Sequence, residues 1–189
     1  RDRATLVRVS AITAAGVGAS STPVSATPAA VPGRPGTPVV IAGDASVSLI
    51  WAAPTSTGGS PITGYVVEIS ADAGATWSTA TTVVAASATI SGLVNGASYA
   101  FRIRAVNAAG TGLPSGLAPA TPAGVPGAPI NLALAAGNAQ VVATWAAPVT
   151  TGGLPITEYL VETSLDGSNW VTVSSGSLAT SAVIGGLTN

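Results

Sequence analysis

Apolar and polar positions alternate with a period of two along most of this chain, in runs of five to nine residues. Val47, Leu49 and Trp51 share one face of a predicted strand, and Tyr65, Val67 and Ile69 share one face of the next. Tyr99, Phe101, Ile103 and Ala105 do the same on a later strand. Gly and Pro punctuate the runs, Val, Thr and Ile fill them, and helix signals are absent. The pattern predicts an all-β chain whose core is built on Trp51, Tyr65, Tyr99 and Phe101, with Trp145 and Tyr159 in equivalent places further on. Short strands with turns every 8–12 residues pack naturally as seven-strand antiparallel sandwiches.

The equivalence is literal. Residues 51–68 read WAAPTSTGGSPITGYVVE and residues 145–162 read WAAPVTTGGLPITEYLVE, an offset of 145 − 51 = 94. Residues 6–28 and 100–122 match at the same offset, each an alternating strand, a Gly-containing turn and a return strand ending in Thr-Pro. Three domains are therefore expected: residues 1–28 as the last two strands of one, 31–122 as a complete one, and 125–189 as the front five strands of a third. Asn189 corresponds to Asn95 and to Arg1, so the chain reads as a two-repeat window on a continuous array. Residues 1–28 of a neighbouring unit are expected to complete the sandwich begun at Val125, with Glu162 facing that unit's Arg8. The junctions VPGRPG and VPGAPI carry two prolines each, which makes them short and semi-rigid.

Only 7% of residues are charged, so the outer faces must be Ser, Thr, Ala and Gly. The six basic residues are all Arg, and a formal net charge of −1 argues against a nucleic-acid partner. No apolar run approaches the roughly 20 residues of a membrane helix, so no membrane insertion is expected of this segment. The opening residues read as a strand rather than a signal peptide; any signal and anchor are expected outside the segment.

His, Cys and Lys are absent, which removes the usual general bases and activated nucleophiles. No catalytic, cofactor or metal site is expected, and the protein is read as not an enzyme. Asp72 with Gly74, and Asp166 with Gly167, read as turns. Gly58-Gly59 and Gly152-Gly153 precede Pro-Ile-Thr or Pro-Ile rather than a helix, a poor context for phosphate. Glu68 is expected to face Arg102 or Arg104 across two strands, chiefly to set register. Trp77 and Trp170 are the candidate contact surface, either packed on a sheet's outer face or offered to a sugar or protein.

P-G-x-P, the strand ending in Trp51, PITGYVVE, ISGLVNGASY and FRIRAVNAAG together resemble the fibronectin type III domain, an immunoglobulin-like sandwich. The resemblance implies a tyrosine corner over Leu93–Tyr99; Thr5 stands at the corresponding place near the N-terminus. It also implies that the loop at 107–115, which in animal relatives can carry Arg-Gly-Asp, has no integrin-binding activity here. The Lys-free, Ala/Thr/Gly-rich version is similar to bacterial surface copies. Three roles are compatible: a spacer, stalk or filament segment of an extracellular or cell-surface array; an accessory or carbohydrate/protein-binding module beside a secreted enzyme or adhesin; and a phage tail or virion decoration. The expected partners are neighbouring copies of the repeat and a cell-surface glycan or protein.

Overall fold

The computed structural model describes residues 4–188, and every regular element among them is a strand. Arg1 and Asn189, which mark the phase of the repeat, lie outside the described residues. The N-terminal stretch holds β1 (Thr5–Val7), β2 (Ser10–Thr13), β3 (Gly16–Ser20) and β4 (Val24–Ala26). The middle holds β5 (Val39–Gly43), β6 (Ser46–Ile50), β7 (Gly64–Ser70) and β8 (Ser78–Val83). It continues with β9 (Ser87–Ser91), β10 (Tyr99–Asn107), β11 (Gly110–Thr111) and β12 (Ala118–Ala120). The C-terminal part holds β13 (Ile130–Gly137), β14 (Gln140–Ala146), β15 (Tyr159–Thr163), β16 (Val171–Ser177) and β17 (Ser181–Gly185). The chain forms two compact units. One comprises Arg1–Ile41, Val47–Ile90 and Ser98–Ala120; the other comprises Ala42–Ser46, Ser91–Ala97 and Thr121–Asn189.

In the first unit a three-stranded sheet, β5-β6-β9, and a second sheet ordered β11-β10-β7-β8 make an antiparallel β-sandwich. The alternation dictates what goes between them. Val47, Leu49, Val67, Phe101, Ile103 and Ala105 are fully buried, and Trp51 lies edge-on to Tyr65 with ring centroids 5.4 Å apart. Burying such side chains contributes about 1.5–3 kcal/mol each.

The return strand is broken, so the complete sandwich has eight strand segments rather than seven. β11 and β12 both pair with β10, and residues 112–117 leave the ladder between them. Ser115 bridges the gap: its N–H donates to the Ile103 carbonyl (2.8 Å) and its Oγ accepts from the Ile103 N–H (2.9 Å). A buried N–H left without that hydroxyl would cost about 1–3 kcal/mol.

The N-terminal stretch repeats this local structure at the 94-residue offset. Thr5, Leu6 and Val7 pair with Ala26, Ser25 and Val24, as Tyr99, Ala100 and Phe101 pair with Ala120, Pro119 and Ala118. Ile12 and Thr13 pair with Val17 and Gly16, as Val106 and Asn107 pair with Thr111 and Gly110. Even the serine bridge recurs, with Ser21 exchanging the same two bonds with Val9 (2.8 and 3.1 Å).

In the second unit β13-β14-β17 and β15-β16 form separate antiparallel sheets. Trp145 meets Tyr159 edge-on at 5.5 Å, repeating the Trp51–Tyr65 pair. Both rings are only half-buried, where Trp51 and Tyr65 are buried. The cause is the missing neighbour: among the described residues β15 pairs with β16 alone, whereas β7 is flanked on both sides. A cleft of about 170 Å³ lined by Trp145, Tyr159, Val161, Val173 and Ala182 remains in the uncovered core.

Candidate functional site

Two burial expectations need correcting. Tyr99 is half-buried rather than core, because it opens β10 at the rim of the sheet. Arg102, expected in solvent, keeps only 19% of its side-chain exposure because Trp77 covers it, with the guanidinium carbon 4.0 Å from the ring centroid. Trp77 is itself half-buried and anchored by its indole N–H to the Gly74 carbonyl at 3.0 Å. Trp170, by contrast, is 59% exposed.

β7 and β10 pair so that Glu68 stands opposite Arg102. Its Oε2 accepts from both Arg102 Nε (2.5 Å) and Arg104 Nε (3.0 Å), so the two candidate partners are used together. Arg104 also donates to the Gly112 carbonyl at 3.2 Å, tying the ladder to the segment that interrupts the return strand. Burial pushes the Glu68 carboxyl up, but hydrogen bonds and charge from the two arginines outweigh it and hold the group below its ordinary value. With 16% of the Glu68 side chain exposed, the ladder lies between an open surface pair and a buried one.

The Asp turns are self-contained. Asp72 accepts from Ser70 Oγ (2.6 Å), Thr76 Oγ1 (2.6 Å) and the Thr76 N–H (2.9 Å), which hold its carboxyl well below the carboxylate range. Asp166 is lowered likewise by the Asn169 N–H, the Asn169 side chain and the Ser168 N–H, with Ser164 adding a fourth bond. Their oxygens are spent on local donors. Among the described residues no group of three His, Cys, Asp or Glu could hold a metal. No helix is long and apolar enough to cross a membrane.

The Gly-Gly turns cradle the chain's own linkers. Gly58 sits at φ 73°, and a Cβ there would overlap the Ala30 carbonyl oxygen. The linker lies against it through Ala30 N–H to Gly58 O (2.7 Å) and Gly33 N–H to Ser56 O (2.9 Å). The second copy is the same: Gly152 is also at φ 73°, with Gly124 N–H to Gly152 O (2.8 Å) and Gly127 N–H to Thr150 O (2.9 Å).

Asn107, which sequence reasoning passed over, locks the first cradle. Its Nδ2 donates to the Ala30 and Thr57 carbonyls (2.8 and 2.7 Å), while its Oδ1 accepts from the Ala109 and Gly110 N–H groups. Asn95 was passed over as well. Within the second unit its amide accepts from the Ala45 N–H (2.8 Å) and donates to Asp44 (2.6 Å), while the Gly96 N–H reaches the Pro122 carbonyl at 2.9 Å. The available signal for Asn95 was its recurrence at the 94-residue offset in a turn without any catalytic neighbour.

The fibronectin type III domain family matches residues 34–121. The Kelch domain-containing protein SSO1033 of Saccharolobus solfataricus is 34% identical over 93 residues, 47% of this chain; the chain spans 13% of that protein's length. Among solved structures, the twitchin kinase region from C. elegans is 34% identical with a TM-score of 0.47, over 49% of this chain and 17% of that one. The domain of human fibronectin type III domain containing protein 3 is 25% identical with a TM-score of 0.45, over 49% and 87%. Residues 34–121, which hold the complete sandwich of this chain, belong to the fibronectin type III domain family.

Proposed function

We propose that this chain is a structural and interaction segment of an extracellular tandem-repeat protein, serving as spacer, stalk or filament subunit, with neighbouring copies of the repeat as its partners. The observation that carries this reading is the cradle: Ala30 on Gly58 and Gly124 on Gly152 use the same backbone bonds and the same left-handed glycine. A role in spacing requires each joint to be built alike, and two prolines per joint limit bending. The polar groups support the same reading, since Glu68, Asp72, Asn107 and Asp166 all serve internal hydrogen bonds. An antibody against the 70–77 turn should label intact source cells or filaments shed from them. Labelling only after permeabilisation would overturn the extracellular assignment.

A second reading, a carbohydrate- or protein-binding module, is favoured by the open indole of Trp170. It requires Trp170→Ala to abolish retention on a glycan or cell-surface fraction that holds the parent chain.

A further inference from the structure

We infer that a second copy of this chain closes the sandwich begun at residue 125, laying its own β1–β2 along the free edge of β15. The inference deepens the array reading above and rests on it for the identity of the partner. The complete sandwich supplies the template. There β10 fills the edge of β7, with Ile103 opposite Val67, Arg102 opposite Glu68 and Ala105 opposite Tyr65. Subtracting 94 from the β10 numbers and adding 94 to the β7 numbers places Val9 opposite Val161, Arg8 opposite Glu162 and Ala11 opposite Tyr159. The donor is already in shape, because β1–β4 and β2–β3 hold the register and serine bridge of β10 with β12 and β11. What it lacks is a cover: Val9 is 68% exposed where Ile103 is 0% exposed.

Charge selects the same pairing. In the complete sandwich Arg102 lies under Trp77 and bonds to Glu68. Val171 pairs with Thr163 as Ser78 pairs with Ile69, so Trp170, the preceding residue, takes the place of Trp77. The second unit thus presents an exposed Trp170 beside an exposed Glu162, a slot of the kind that holds Arg102. Arg8, exposed on the N-terminal stretch, is the arginine at that offset. Joining the front of one copy to the back of the next uses two different surfaces, so the contact propagates into open chains rather than closing a dimer.

The natural absence of cysteine makes the test clean. Copies carrying Arg8→Cys and Glu162→Cys are mixed and oxidised. The mixture should yield disulfide-linked pairs at least about tenfold above either variant alone, or above Val9→Cys mixed with Glu162→Cys, which sets the thiols on opposite faces. In sedimentation velocity the unmodified chain should form a concentration-dependent series of oligomers. Arg8→Glu and Glu162→Arg should each weaken it by about tenfold, and the doubly reversed chain should recover it. An internal bridge within one copy carrying both cysteines, or equal yields from the off-register pair, would overturn the inference. So would a chain that stays monomeric at every concentration while its complete sandwich still melts cooperatively, a result that leaves the array reading standing. Loss of that cooperative melt would contradict both.

Discussion

Gly58→Ala and Gly92→Ala place the same methyl on nearly the same backbone, at φ 73° and 75°, yet should differ widely in cost. An L-residue in the left-handed region costs about 1–2 kcal/mol at either site. At Gly92 nothing lies within 4 Å of the new Cβ, so that strain is the whole effect. At Gly58 the Cβ meets the Ala30 carbonyl, and the linker must lift. The Ala30–Gly58 bond of 2.7 Å then goes, worth about 1 kcal/mol. Asn107, itself 4% exposed, loses the Ala30 acceptor of its amide, which adds about 1–2 kcal/mol. The sum is about 3–5 kcal/mol for Gly58→Ala against about 1–2 kcal/mol for Gly92→Ala. For a sandwich of this size that corresponds to a Tm lowered by roughly 12–40 °C in one case and roughly 4–16 °C in the other. Scanning calorimetry of the 189-residue chain with each substitution reads the difference directly. Equal shifts would refute the claim that the glycine pair exists to seat the linker.

Glu68→Gln should cost about 1–3 kcal/mol in urea unfolding, because Arg102 and Arg104 then share a neutral acceptor. The Glu68 carboxyl is held below its ordinary 4.5, so its stabilisation is fully present above that pH and disappears as pH falls through the lower folded value. Unfolding measured from pH 7 to 2 should therefore show a shallower acid limb in Glu68→Gln. Phe101→Ala, at a fully buried site between the sheets, should cost about 3–5 kcal/mol and is read by the same denaturant curves.

Period-two alternation and the 94-residue self-match sufficed to read the strand faces, the Trp51–Tyr65 centre of the core and the Glu68 register. What they could not show lies where a side chain substitutes for backbone. Alternation assigns Ser115 to a continuous return strand, but its hydroxyl takes the Ile103 N–H and lets the strand break into β11 and β12. Arg102 alternates outward as an exposed residue does; only the turn from Asp72 folds Trp77 back over it. The contrast with Trp170 is one of partners: β15 has a free edge, so no arginine lies under that indole among the described residues. Asn107 was invisible for a similar reason. Its four bonds go to backbone atoms up to 77 residues away, and no local motif encodes them.

The central claim is that the complete sandwich is a self-contained structural module, and stretching one chain by its ends tests it most directly. The account predicts a single sharp rupture releasing the residues between the two linkers, about 90 of them, or about 300 Å of extended chain before the folded length is subtracted. Glu68→Gln should lower the rupture force without changing that length. A smooth extension with no rupture, or a release far from that length, would contradict the account.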